Sequence, residues 1–418
     1  MLFVNLLIPF VLCSPIPPDQ DDFYTPPPNI TTTNLGDILK IRPIPTPIKS
    51  IIPIPFPISA TYQLLFRTQD IHGTPIATVT TLIIPSGPVH PNRLISHQSF
   101  ENSPLLRCAP SYAVQSPTFA TLQIQADLVF VAGYLNQGYV VNLPDHEGPH
   151  SSFLVGLQAG YVVLDSIRAA TTFLKHSRAR VALVGYSGGG FASLWASLLV
   201  RSYAPDLDVA GVVSGGTIAN ITAFINRING GPYAGLIVNI LGGLCTVYAD
   251  FNATLLKYGQ RQEHTCLFPS AVRYFFQDVI GDVYHRDVLC DPTIVRCLVE
   301  NDLLGKTGWV VPGGVPVFLY HSRFNEMAPF GEVVKLEEEW CRRGVEVEIA
   351  EDWSYNHMVE AYTGIPAAIT WIENQWNRTR SGGGCKHVTR LTNLNYPGIS
   401  PVVKRYYNTT MQIISDIT

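Results

Sequence analysis

The sequence has 418 residues, of which 46% are hydrophobic and only 14% are charged, and its formal net charge is −4. A chain of this length buries a large core, either as two average domains or as one α/β domain with an insertion. The weak negative charge excludes the basic surface that nucleic acids and anionic membranes attract, so we expect neither as a partner.

Residues 1–14 have the features of a secretory signal peptide. The apolar run over 2–12 is too short to span a bilayer, although no basic residue precedes it. Eight cysteines occur without a Cys-x-x-Cys pair, which favours disulfides over metal binding or redox work. Asn-x-Ser/Thr sequons, typical of exported proteins, occur at Asn29, Asn220, Asn252, Asn377 and Asn408. We therefore expect a secreted glycoprotein without a transmembrane segment.

The next part of the chain predicts an extended arm followed by strands. Residues 15–58 contain twelve prolines, which predicts a polyproline-like segment on the surface of the body rather than a domain. Alternating apolar residues over 61–66 and 76–84 predict a β-hairpin at a sheet edge. A further strand is predicted over 94–97, and the polar loop 98–103 follows it.

The segment 180–199 predicts the chemical centre of the chain. Residues 181–184 form a short apolar run typical of a strand buried on both faces, and 188–199 form a helix of small and apolar residues. The sequence Gly-Tyr-Ser-Gly-Gly between them matches G-x-S-x-G in a strand–turn–helix context. The flanking glycines allow a sharp turn that exposes Ser187 at a helix N-terminus, where an oxyanion is stabilised. We interpret Ser187 as a nucleophile rather than a chance match in a loop.

After a strand predicted over 208–213, the alternation of strands and helices stops until about residue 314. An insertion of this length, over 217–314, predicts a lid or cap above the site. It contains a long uncharged run between Arg227 and Asp250, whose glycines argue against a membrane helix. We favour a buried cap segment that lines an acyl pocket, because ligand sites are commonly apolar clefts.

Regular elements resume after the insertion. A strand, a helix, a strand and a closing helix are predicted over 315–321, 331–343, 345–350 and 359–376. With a strand over 138–143 and a helix over 156–174, they predict the α/β fold class: an α/β-hydrolase with a helical lid or cap inserted after the strand that follows the nucleophile helix. The core then comprises 59–216 and 315–380, and the tail at 381–418 has no strong pattern.

His357 is the predicted base. In this fold the chain order is serine, acid and histidine, and the histidine follows the last strand of the core. Of eleven histidines, only His357 lies in the loop after that strand. The charged residues Asp145, His146 and Glu147 lie too early in the chain for this role, so we interpret them as a hydrogen-bonded structural loop.

Several motifs resemble those of the fungal secretory lipases of the lipase A type, over roughly residues 60–380. They are Cys-Ala-Pro-Ser-Tyr at 108–112, Asp-His-Glu-Gly at 145–148, Leu-Asp-Ser-Ile-Arg at 164–168, Gly-Tyr-Ser-Gly-Gly at 185–189, Ser-Tyr-Ala-Pro at 202–205 and Asn-Gly-Gly-Pro-Tyr-Ala-Gly at 229–235. The resemblance implies an α/β-hydrolase with a helical cap, no cofactor or metal, and hydrolysis of carboxylic esters, often acylglycerols. It places the serine on Ser187, the histidine on His357, and the oxyanion hole on the backbone N–H groups of Gly188 and Asn102.

The resemblance also implies two disulfides, which join Cys108 to Cys266 and Cys341 to Cys385. Cys290 and Cys297 are spaced closely enough to close a short loop. Cys13 leaves with the signal peptide, and Cys245 is expected to be an unpaired, buried thiol. Sequence alone does not fix this connectivity.

The chain departs from the family pattern at the acid. The family has Asp-Glu before an apolar residue and proline, whereas this chain has Asn325-Glu326-Met-Ala-Pro. An asparagine carbonyl can accept the Nδ1–H of His357, but it supplies no charge, and the change from Asp to Asn costs about 10⁴ in kcat in a serine protease. Three interpretations stay open: Asn325 orients His357, Glu326 or another carboxylate does so, or the protein is a weak or degenerate hydrolase.

The sequence as a whole predicts a secreted, monomeric serine ester hydrolase of the lipase type. Its substrate is expected to be a lipid or another apolar ester, with at most transient contact with a lipid interface. An esterase or acyltransferase for secondary-metabolite esters is the alternative among enzymes. A non-catalytic lipid-binding protein is the alternative outside them, and only Asn325 supports it.

Overall fold

The computed structural model describes most of the chain. The described residues are 15–176, 178–260, 262–306, 314–353, 356–377 and 384–417. The predicted signal peptide at 1–14 therefore lies outside the described residues. No helix within the described ranges is long and apolar enough to cross a membrane.

A single twisted sheet organises the described residues, which form ten strands in it. The strands are β1 (Ile38–Pro43), β2 (Ile58–Gln69), β3 (Pro75–Pro85), β4 (Arg93–Gln98), β5 (Val140–Pro144), β6 (Arg180–Tyr186), β7 (Asp208–Gly215), β8 (Val317–Ser322), β9 (Val347–Asp352) and β10 (Lys386–Arg390). Their spatial order is β1-β2-β3-β5-β4-β6-β7-β8-β9-β10. The contacts from β1 to β5 are antiparallel and all others are parallel. The carboxyl ends of β6, β8 and β9 therefore lie on the same edge of the sheet.

Helices connect the strands and cover both faces. They are α1 (Pro110–Ala113), α2 (Leu122–Asn136), α3 (Gly156–Leu174), α4 (Gly188–Tyr203), α5 (Ile221–Ile228), α6 (Gly235–Cys245), α7 (Ala249–Leu255), α8 (Leu267–Arg273), α9 (Pro292–Asn301), α10 (Phe330–Arg342), α11 (His357–Thr363), α12 (Ile365–Trp376) and α13 (Pro401–Ile417). Apolar residues of α3, α4 and α10 pack on one face, and those of α2, α12 and α13 pack on the other. In β6 the side chains alternate between the two cores, since Val181 and Leu183 face the first while Ala182 and Val184 face the second.

The insertion between β7 and β8 contains helices α5 to α9, and its described part contains no strand. We call residues 217–314 the cap. Its apolar side chains join the core cluster that also contains α3 and α4, so the cap is packed on the body at the carboxyl edge of the sheet.

Both ends of the chain are more ordered than the sequence predicts. The proline-rich arm contributes β1, which pairs antiparallel with β2. The tail, predicted to be without pattern, adds β10 beside β9 and ends in α13. Helix α13 is amphipathic, with Val403 and Thr410 buried two turns apart on one side.

The predicted closing helix is two helices, α11 and α12. Helix α11 ends at Thr363 and α12 begins at Ile365, with Pro366 in its first turn. Gly364 lies between them, and a Cβ at this position would collide with the ring of Tyr320. The break thus follows from close packing on β8 and from the preference of proline for the first turn of a helix.

Candidate active site

Ser187 lies in a strained turn between β6 and α4. Its backbone has φ 52° and ψ −120°, which side-chain-bearing residues rarely adopt. A Cβ on Gly185 would collide with the backbone of Gly189, and a Cβ on Gly189 would collide with that of Gln98, so both positions require glycine. The Ser187 N–H donates to the carbonyl oxygen of Gly215 at 2.8 Å, which ties the turn to β7. The result is a hydroxyl at the N-terminus of a helix, as G-x-S-x-G predicts.

His357 is the first residue of α11, the helix that follows β9 in the chain. Its backbone N–H donates to Glu326 Oε2 at 2.7 Å, and its carbonyl oxygen accepts from the Tyr186 hydroxyl at 2.5 Å. Asn356 caps the helix by accepting the N–H of Val359. The backbone of His357 is therefore held at both ends by groups from β6 and from the loop after β8.

Asn325 lies beside the ring of His357, but its amide is oriented by the loop around it. Asn325 Oδ1 accepts the backbone N–H groups of Met327, at 3.0 Å, and Ala328, at 2.8 Å. Its Nδ2 lies 2.8 Å from His357 Nδ1. The two N–H donors identify which amide atom is the oxygen, so the NH₂ group is the one that faces the imidazole.

This orientation decides the tautomer of His357. An amide NH₂ only donates, so Nδ1 must be the unprotonated nitrogen, and the neutral ring then carries its proton on Nε2. A general base needs the opposite arrangement, with a free Nε2 lone pair for the serine proton. The expectation that the Asn325 carbonyl accepts Nδ1–H is thus wrong for this geometry, because two backbone N–H groups already occupy that oxygen.

Burial also keeps the His357 ring neutral. Ser187, Asn325 and His357 are only 3%, 4% and 2% exposed. Burial, reinforced by the neighbouring His321, lowers the pKa of His357 to about 3. Glu326, the carboxylate next to Asn325 in sequence, bonds to the backbone of His357 and not to its ring.

The expected oxyanion donors, Gly188 and Asn102, lie against each other. A Cβ on Gly188 would collide with the Asn102 side-chain oxygen, which has no partner among the described residues. The backbone N–H of Asn102, however, donates to Glu147 Oε1 at 2.9 Å. The expectation that this N–H serves an oxyanion is therefore not met, since it is committed to a carboxylate. The Asn102 side chain lines the site with its oxygen toward Gly188; because no described group bonds that oxygen, the amide can turn its NH₂ group toward an oxyanion.

A small apolar cavity joins these residues. Ser187, His357 and Asn102 line it together with Phe100, Gln123, Tyr186, Tyr233, Leu267, Phe268, Met327, Met358 and Ala361. Its volume is about 30 Å³, whereas ligand pockets usually measure about 300 Å³ or more. The cap contributes Tyr233, Leu267 and Phe268 to it, from the start of α8 and the turn before α6.

Of the cap segment predicted to line an acyl pocket, Tyr233 lines the cavity, but helix α6 does not. Leu236 and Ile240 on α6 are fully buried in the large core cluster and are not among the residues that line the cavity. Gly243 approaches the backbone of Phe153 so closely that a Cβ would not fit. Gly243 therefore serves close packing of the cap on the body, whereas Gly235 approaches the backbone of Ser270 within the cap.

Two of the three charged side chains in the loop after β5 accept hydrogen bonds at both carboxylate oxygens. Asp145 accepts from the N–H and hydroxyl of Ser111, and Glu147 accepts from the N–H groups of Asn102 and Ser103. This agrees with the structural interpretation of the loop. Sequence reasoning nevertheless missed the link from Glu147 to the oxyanion loop, because no spacing rule connects residues 45 positions apart.

Both disulfides implied by the resemblance are present, Cys108–Cys266 and Cys341–Cys385. The first ties the loop after β4 to the start of α8 in the cap. Cys290 and Cys297 are both free thiols, so the short loop that they were expected to close is not formed. Cys245 is partly exposed rather than buried.

The fold and this site are those of an α/β hydrolase, with a serine at a sharp strand–turn–helix and a histidine after the last parallel strand of the core. The chain belongs to the secretory lipase family, whose model matches residues 114–384. Membership of this family makes the protein a carboxylic ester hydrolase.

Similar proteins cover almost the whole chain. Lipase 7 of Candida albicans is 50% identical over 420 residues, which cover 99% of this chain and 97% of that relative. Lipase 5 of the same organism is 36% identical over 435 residues, covering 99% and 93%. The crystal structure of Candida antarctica lipase A matches with a TM-score of 0.84 at 26% identity, over 96% of this chain and 95% of that one. The same lipase in its closed state matches with a TM-score of 0.86 at 27% identity, over 96% of each chain.

Proposed function

We propose that this chain is a secreted serine ester hydrolase for lipid-like esters, that it reacts through an acyl-enzyme at Ser187, and that Asn325 makes it slow. The observation that carries the proposal is the strained serine turn, which shares one apolar cavity with His357. Strain of this kind persists where the surrounding structure enforces it, and it clusters at catalytic sites.

The proposed reaction follows the usual two half-reactions. Ser187 Oγ attacks the ester carbonyl carbon while His357 Nε2 takes the serine proton, and the carbonyl oxygen becomes an oxyanion. The Gly188 N–H at the start of α4 stabilises this charge, and so does the Asn102 side-chain amide after its NH₂ group has turned toward the oxyanion. The intermediate collapses, the alcohol leaves with the proton from His357, and water then releases the acid by the same steps in reverse.

Asn325 opposes the first of these steps. To accept the serine proton, His357 must hold its other proton on Nδ1, which would face the NH₂ group of Asn325. Relieving that clash requires the amide to turn, which breaks its hydrogen bonds to Met327 and Ala328. Two hydrogen bonds contribute about 1–3 kcal/mol together, and the imidazolium also lacks a counter-charge. The combined penalty approaches the roughly 10⁴-fold loss known for an Asp to Asn change in a serine protease.

The surroundings of the cavity support an apolar substrate. Exposed apolar side chains lie on the segments that line the cavity or touch its lining: Phe119, Val272, Phe275, Phe276, Phe324 and Trp353. Phe119 contacts the cavity residue Phe268, and Phe324 contacts Trp353. Exposed apolar patches of this kind mark contact with apolar ligands or surfaces. Since the cavity is too small for an acyl chain, we propose that the cap moves to admit the substrate.

A fluorophosphonate probe tests the proposal. We expect covalent labelling of the full-length secreted protein at Ser187, located by peptide mass spectrometry, together with slow hydrolysis of p-nitrophenyl esters. His357→Gln should slow the labelling, because the base is lost. If Ser187 is not labelled and vesicles still bind the protein, the chain is a lipid-binding relative. The geometry of Asn325 is the observation that favours this second function.

A further inference from the structure

Two buried carboxyl groups lie at the loop that presents Asn102 to Gly188: Glu101, which precedes Asn102 in the loop, and Glu147, which follows β5. Their side chains are only 1% and 2% exposed. Glu147 Oε1 lies 2.9 Å from the N–H nitrogen of Asn102, and Oε2 lies 3.4 Å from that of Ser103. Glu147 thus holds two consecutive backbone groups of the loop with one carboxylate.

The surroundings of the two carboxyl groups differ in the hydrogen bonds that they offer. Glu101 accepts one hydrogen bond, from the Ser151 hydroxyl, and its Oε2 has no partner among the described residues. Burial raises the pKa of both groups, and the negative charge of Glu147 raises that of Glu101 further. The two N–H donors oppose the rise at Glu147. Of the two groups, Glu147 is therefore the one whose negative charge the backbone stabilises.

The loop held by Glu147 has an unusual conformation. Asn102 lies in the left-handed region with φ 53°, which asparagine tolerates better than most residues but which still needs support. Its carbonyl oxygen accepts from Asn239 Nδ2 on α6, at 2.9 Å. That support belongs to the cap and leaves with it when the cap moves, whereas Glu147 follows β5 and stays with the core. Glu147 is thus the support that persists while substrate is bound.

We propose that Glu147 is a positioning residue for ester hydrolysis: its carboxylate fixes the backbone turn at Asn102, which keeps the Asn102 side chain beside Gly188, within reach of the oxyanion for its NH₂ group. Glu147 does not touch the substrate and acts only through Asn102. The inference rests on the proposed function, because it assigns a support to the oxyanion hole of that reaction.

A double-mutant cycle tests this role. Asn102→Ala should lower kcat for p-nitrophenyl butyrate by about 10²–10³-fold, the usual loss of one oxyanion donor. Glu147→Gln keeps the size of the side chain but offers only one oxygen to two N–H groups, so we expect kcat to fall about 10–100-fold with KM within about threefold of wild type. The double variant should be no slower than Asn102→Ala alone, because both changes remove the same interaction.

A matched control is Asp302→Asn. Asp302 is another buried carboxyl group that accepts a backbone N–H, that of Ile221, but it lies in the cap away from Asn102. The Asp302→Asn variant should be less thermally stable than the wild type and should have an unchanged kcat. If Glu147→Gln fails to fold, Glu147→Asp replaces it, since the shorter carboxylate withdraws from at least one N–H.

The outcomes separate this inference from the proposed function. Absence of fluorophosphonate labelling at Ser187 in the wild type would overturn the proposed function itself. A labelled wild type combined with a folded Glu147 variant of unchanged kcat would overturn only the positioning role. Multiplied losses in the double variant would also overturn it, because they would show that Glu147 acts independently of Asn102.

Discussion

The serine turn and the acid loop lie on either side of His357, and they differ in how their geometry is fixed. The turn at Ser187 is set by backbone: two glycines, a left-handed serine and a bond to β7 produce it. The backbone of the loop at Asn325 places a side chain beside His357 Nδ1. Whether that side chain donates to the ring or accepts from it depends on which of its atoms faces Nδ1. The fold therefore preserves the position of the side chain beside His357 more readily than its ability to accept a proton from the ring.

The largest effect is expected when the two regions are changed together. In the Asn325→Asp background, Ser187→Ala should lower kcat by about 10⁶, as removal of a serine from a complete triad does. In the wild type the same change should cost only about 10², because most of the contribution of the triad is already missing. The two losses are measured as kcat for p-nitrophenyl butyrate, by comparing Ser187→Ala with the wild type and the double variant with Asn325→Asp. Equal losses in the two backgrounds would mean that Asn325 does not limit the wild type.

Asn325→Asp alone should raise kcat by one to four orders of magnitude. One carboxylate oxygen can keep the N–H groups of Met327 and Ala328 while the other accepts Nδ1–H, which restores the productive tautomer and a counter-charge. Steady-state kinetics with p-nitrophenyl esters measures the gain, and Asn325→Ser, which adds no charge, serves as the control. An unchanged kcat in Asn325→Asp would contradict the role of this position.

The pH dependence of kcat/KM should also distinguish the wild type from Asn325→Asp. The pKa of His357 is lowered to about 3, mainly by burial, so the wild-type ring stays neutral on acidification well below pH 6. Its kcat/KM should therefore show no fall assigned to His357 between pH 5 and pH 8. In Asn325→Asp the adjacent carboxylate stabilises the protonated ring and raises its pKa, so the acid limb should move to higher pH. A wild-type inflection near pH 6.5 would contradict this.

The smallest effect is expected at Glu326. Its carboxylate accepts the backbone N–H of His357, so Glu326→Gln, which keeps an oxygen acceptor, should leave kcat within about twofold. Glu326→Ala should lower it by less than about tenfold, because the helix start loses one support. If instead Glu326→Ala is inactive and Asn325→Asp is neutral, Glu326 is the acid that serves His357.

The sequence predicted the parts of this molecule that follow from repeating patterns. Apolar runs and their turns located the parallel strands β4 to β9 but not β10, and G-x-S-x-G located Ser187. The position of His357 followed from chain order. Helix α13 was missed although it is amphipathic, and the break at Gly364 was missed because it depends on contact with Tyr320.

The finer chemistry of the site could not be read from spacing. Which amide atom of Asn325 faces His357 depends on the N–H groups of Met327 and Ala328, which point inward only in the folded loop. The commitment of the Asn102 N–H to Glu147 joins two loops that follow different strands. Such contacts depend on the tertiary structure, and no local pattern encodes them.

The tautomer of His357 is the property on which the comparison of the two regions depends. Long-range ¹H–¹⁵N correlation NMR of ring-labelled histidine reads it, with His357→Gln to assign the signals. We expect the wild type at pH 7 to show a neutral ring protonated at Nε2, and Asn325→Asp to show protonation at Nδ1. A wild-type ring protonated at Nδ1 would contradict the geometry proposed for Asn325, because its NH₂ group would then face another donor.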